Sequence, residues 1–147
     1  MLLDLVKTLH LLSMATWLGA TLWLAGDARR SLPAGPAEAR AFVARAARSL
    51  DLDRWAGALT ILSGLGLVHL AKAWPPPPWV WVGFVMALAR AGLSDALLRP
   101  TLRRLAGGLD AGRSPADLAA GARRLAALSG AGHLAWLLAL AAMVGRW

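Results

Sequence analysis

The 147-residue chain contains no cysteine, and its 8 acidic residues are half as many as its 16 basic ones. Without thiols there is no disulfide, no thiolate metal site and no cysteine nucleophile, and thiol usage says nothing about redox compartment. The chain has no internal repeat of the kind that marks solenoids or propellers. It also lacks a good cleavable signal. Asp4 and Lys7 precede the first apolar run, and the small-residue cleavage pattern after it is weak, so that segment is expected to remain as a membrane anchor.

What is present is apolar. Hydrophobic residues make up 58% of the chain, and the mean hydropathy is +0.54. Soluble domains stay near half apolar. The length suits one domain, 1–147. A net charge of +8 would suggest nucleic acid in a soluble protein. Here the arginines cluster between apolar segments, where topology and anionic lipid account for them, so no nucleic-acid partner is expected.

The stretch VKTLHLLSMATWLGATLWLA, residues 6–25, anchors the reading. From Thr8 to Ala25 it runs eighteen residues without a charge, enough to cross a bilayer core of about 30 Å at roughly 1.5 Å per residue. His10 lies inside it. Helical spacing sets Ser13, Met14, Trp17 and Thr21 on the same side as His10, a stripe that reads as the inside of a bundle. Three further apolar segments follow, around WAGALTILSGLGLVHLAKAW, WVWVGFVMALARAGLSDALL and LAALSGAGHLAWLLALAAMVG. Pro33 and Pro36 break the chain after the first segment, and Pro75 to Pro78 form a stiff turn after the second. Between Ala37 and Leu50, Phe42, Val43, Ala46 and Ala47 share one side, with Arg40, Arg45 and Arg48 at its margin, as in an interfacial amphipathic helix. The expected fold is all-α: an integral membrane four-helix bundle, up-down-up-down, with helices at about 3–25, 55–74, 79–98 and 125–146 and a cytoplasmic connection at about 37–50.

Depth follows from topology. Lys7 precedes His10 by three residues and Lys72 follows His69 by three, so the two imidazoles are expected level with each other in the outer leaflet. Such a pair could bind one metal ion or clamp a haem from both faces. His133 and Arg90 are expected nearer the midplane. An arginine there must be paired or wet, and a haem propionate is one natural partner. Asp95, five residues from Arg90, turns away from it, but meets Arg99 one turn on. Trp17 and Trp136 are deep enough to wall a pocket. Met14 lies one turn from His10, whereas Met86 and Met143 read as filler. Trp55, Trp74, Trp79, Trp81 and Trp147 fall at the expected interfaces.

The opening VKTLHLLSMATWLGATLWLAGDARRSL resembles the first helix of the HemJ-type protoporphyrinogen oxidases. It is also similar to the CopD copper-resistance membrane proteins, whose helices carry a comparable His-Leu…Trp-Leu-Gly pattern. WVWV…LLRPTLRRLAGG resembles the third HemJ helix and its basic tail. The resemblance implies that His10 ligates haem b; His69 and His133 are not supplied by it.

Two functions therefore stand beside a purely structural subunit with packing histidines. One is a b-type haem protein with a redox role, an oxidoreductase or electron carrier acting with a quinone, another redox protein or a haem-pathway substrate. The other is copper binding or transport through His10, Met14, His69 and His133, since imidazole and thioether suit copper. Ala15 and Gly19 could pack a second copy of the chain. Orientation rests on counting. The two long connections carry twelve arginines, from Arg29 to Arg54 and from Arg99 to Arg124, against Lys7, Lys72 and Arg146 on the other face. Both termini are expected outside the cytoplasm, in the cell (inner) membrane. A C-terminal reporter active only in the periplasm should be active, and one active only in the cytoplasm should be silent.

Overall fold

The computed structural model describes residues 1–72 and 74–144, without the side chains at 115–117. Arg146 and Trp147 lie outside the described residues. The protein is all-helical, and among the described residues there is no strand. Four long helices account for it. α1 covers Leu2–Ser31, with one irregular turn at Trp23; α2 covers Pro36–Leu70; α3 covers Pro78–Asp110; α4 covers Pro115–Val144.

Local chemistry sets the ends. Gly35 takes a φ of 121°, which glycine adopts without strain, and Pro36 follows at the first turn of α2, where a missing N–H costs nothing. Pro78 opens α3 in the same way. Inside α3, Pro100 cannot donate to the carbonyl four residues back. The turn before it, Ser94–Leu98, widens to π geometry, so the helix runs on instead of breaking.

The helices are longer than the apolar segments alone predict. The expected first helix at 3–25 continues to Ser31, and the third at 79–98 continues to Asp110. The fourth begins at Pro115. The expected connection at 37–50 is instead the first half of α2, continuous with the expected helix at 55–74. The charges at 51–54 change the surroundings of the helix, but the weak helix propensity of Asp51 and Asp53 costs less than about 1 kcal/mol each and does not end it.

Packing divides the molecule into two halves. α1 lies along α2, and α3 along α4. At the arginine-rich end the two hairpins close on a core of Leu24, Phe42, Leu50, Leu98, Leu105 and Leu125. Arg45 bonds Asp27 and Glu38 at 2.8 and 3.0 Å, tying α1 to α2 there. At the other end contact between the hairpins is sparse, and they splay. α1, α3 and α4 are each long and apolar enough to cross a membrane. α2 is not among these, because its first half is polar.

Phe42 is fully buried and meets Trp23 edge-on at 6.4 Å. Phe42→Ala leaves a cavity where both hairpins close, so unfolding of the detergent-solubilised protein should show a loss of about 3–5 kcal/mol.

Candidate functional site

The stripe read from the first segment is the buried face of α1: His10, Ser13, Met14, Trp17 and Thr21 all point inward. They meet a matching stripe on α2, where Asp53, Ala56, Gly57, Thr60 and Ser63 recur at three- and four-residue spacing. Gly57 is required by the fit, since a Cβ there would lie 2.8 Å from the Trp17 indole.

His10 is bonded through Nδ1, 3.1 Å from the Thr60 carbonyl and 3.0 Å from Ser63 Oγ. A carbonyl only accepts, so Nδ1 carries the proton. The Ser63 hydroxyl donates to the Leu59 carbonyl at 2.6 Å and accepts from the imidazole. The lone pair of the neutral ring is therefore on Nε2. Gly64 makes room for the ring, as a Cβ there would stand 3.2 Å from His10 Cε1. His10 borders a cleft of about 200 Å³ between the splayed hairpins. Ile61 and Val68 of α2, Trp81 and Phe84 of α3, and Met143 of α4 supply its walls.

Deeper in, a polar network joins all four helices. Arg90 Nη2 donates to Asp53 Oδ1 at 2.7 Å and to the Trp17 carbonyl at 2.8 Å, and its guanidinium lies 4.9 Å from the centre of the Trp17 ring. Ser94 donates to Asp53 Oδ2 at 2.7 Å. Thr21 Oγ1 lies 3.1 Å from His133 Nε2, and Ser129 donates to the Thr21 carbonyl at 3.2 Å. Gly132 lets α4 approach, because a Cβ there would stand 3.0 Å from Arg90 Nη1.

Several expectations change. His10 and His69 are not level. Ser13 bonds Thr60, Trp17 covers Gly57, and Val6 packs on Gly66. That register sets Lys7 beside Gly66 and leaves Lys72 further out. His69 lies six residues beyond Ser63, about 9 Å outward at 1.5 Å per residue, and is exposed. His133 is half-buried, and its Nε2 is taken by Thr21. The three histidines do not converge, and among the described residues no group of three or more His, Cys, Asp or Glu side chains could hold a metal ion. The carboxylate that meets Arg90 is the chain's own Asp53, which the expectation had not paired with it. Met14, Trp17 and Trp136 form the apolar cluster below the cleft, and Trp74 and Trp81 line the cleft instead. Asp95 does meet Arg99, at 2.8 Å, and also Arg54 at 2.9 Å.

Asp53 is the residue that sequence reasoning missed. It falls between the expected connection at 37–50 and the expected helix at 55–74, although its spacing to Gly57 and Thr60 marks an inward face. No family model, no curated protein and no solved structure matches the chain.

Asp53 and Arg90 are both almost wholly buried. Removing one partner of such a pair leaves an uncompensated charge, which costs about 3–5 kcal/mol. Asp53→Leu should lower stability by that amount in detergent unfolding. The double variant Asp53→Leu/Arg90→Leu should recover most of the loss.

Proposed function

We propose that the protein is an integral membrane four-helix bundle that holds b-type haem in the cleft between its hairpins, with His10 as a ligand and a redox role. The membrane reading is supported by the exposed surface. Large apolar side chains face outward on all four helices at the same end: Leu5 and Leu12, Leu59 and Leu62, Val85 and Leu88, Leu134 and Leu138. On α2 that band runs from Leu52 to Leu65, and the half-buried Leu67, Val68 and Leu70 continue it to the helix end, about 27 Å in all at 1.5 Å per residue. This approaches the thickness of a bilayer core, so α2 crosses with the other three. The arginine-rich half then lies in the cytoplasm and both termini lie outside.

The observation that carries the haem reading is the His10 ring. Its Nδ1–H is fixed by a backbone carbonyl, as in ligating histidines, where the second nitrogen is held and the first is left bare. The cleft beside it is lined by apolar and aromatic side chains, of the kind that keep water from a bound metal. Bound there, haem supplies one-electron exchange with a quinone or a protein partner. Thr60 and Ser63 hold the imidazole in one tautomer and one orientation, and Ser13 locks the turn that carries it by donating to the His10 carbonyl at 2.9 Å. The resemblance of the first helix to HemJ-type proteins favours the same ligand. Copper handling through three histidines has less support, because His10, His69 and His133 lie apart.

Purified wild-type protein should show a Soret band with resolved α and β bands, and His10→Ala should lose the haem. Normal haem content in His10→Ala would reject His10 as ligand. A colourless wild type after expression with haem precursor would reject the haem reading itself.

A further inference from the structure

The cleft holds a second donor atom that suits a metal. We propose that Met143 is the second haem ligand beside His10, the two side chains lining the same cleft; this rests on the haem reading above. Two observations carry it. Met143 of α4 and His10 of α1 line the same cleft, and among the described residues no other side chain on its wall bears an imidazole, a thioether or a carboxylate. The register between α1 and α4 sets the two at one level. Thr21 and His133 meet at 3.1 Å on antiparallel helices. His10 lies eleven residues before Thr21 and Met143 ten residues after His133, so their depths differ by about one residue, roughly 1.5 Å.

Each donor also rests on a glycine. Gly64 admits the His10 ring, and Gly83 admits Met143, whose Cε would stand 2.5 Å from a Cβ at that position. The glycine on α3 thus sets where the thioether lies. The other two histidines offer no equivalent. His69 faces outward, and His133 is bonded to Thr21. Imidazole with thioether is an established axial pair for electron-transferring haem, and the thioether raises the midpoint potential. The site is thereby assigned to electron transfer and not to oxygen chemistry, which needs an open sixth position.

The test is spectroscopic. Full-length wild type and Met143→Leu are purified in detergent, loaded with haemin and reduced. The wild type should be six-coordinate and low-spin and should resist carbon monoxide. Its ferric form should show the near-infrared sulfur-to-iron charge-transfer band, a readout that needs no variant. Met143→Leu should retain haem, become five-coordinate and bind carbon monoxide. Met143→His should restore six-coordination at a lower potential than the wild type. A wild type that is five-coordinate, or a Met143→Leu variant that remains six-coordinate and low-spin, overturns the role of Met143 while leaving haem binding standing. A wild type that takes up copper but no haem overturns both.

Discussion

The contact on which the rest of the structure depends is the buried ion pair between Arg90 and Asp53. An arginine inside an apolar bundle cannot shed its charge, so it must be met by a carboxylate and carbonyls, and every helix has to come close enough to supply or accommodate them. α2 brings Asp53, α1 brings the Trp17 carbonyl and the Trp17 ring, and α4 brings Gly132, where nothing larger fits. A pair of this kind is a poor source of net stability, since desolvation offsets most of the attraction. What it supplies is register. With Arg90 seated, Thr21 falls beside His133 and Trp17 over Gly57, and the sliding freedom of four smooth apolar helices is removed.

That register has a consequence at each end. Towards the arginine-rich end the helices extend beyond their apolar segments and close on Phe42, Leu24 and Leu125, as in a soluble bundle. Arg99 bonds Asp51 at 2.8 Å, and Arg54 bonds Asp95 on the neighbouring helix. These pairs are partly exposed and add little energy, but they mark the rim where the outward leucines stop. Towards the other end, no hydrogen bond or ion pair among the described residues draws the hairpins together. They part, and the cleft that His10 borders lies between them.

Much of this was legible in the residues. The three- and four-residue spacing in the first segment placed His10, Ser13, Met14, Trp17 and Thr21 on the buried face of α1, because an amphipathic stripe depends only on local helical geometry. The helical segments and the inward direction of Arg90 followed from the cost of polar groups among apolar ones. What could not be read was anything that depends on how far one helix slides along another. Lys7 and Lys72 do not mark one depth, because α2 ends further out than the point where Lys7 lies, and His69 is carried away from His10. Asp53 was hidden for a related reason. Its neighbours Asp51 and Arg54 face outward, so a run of charges looked like a connection, while one of the three turned inward.

The central claim is that one imidazole, that of His10, meets haem iron in the cleft between the hairpins. Pulsed electron paramagnetic resonance of the ferric protein, with nitrogen-15 introduced only in histidine, counts the imidazoles bound to iron directly. The account predicts one strongly coupled, directly bound histidine nitrogen. Two directly bound histidine nitrogens, or no bound haem at saturating haemin, would contradict it.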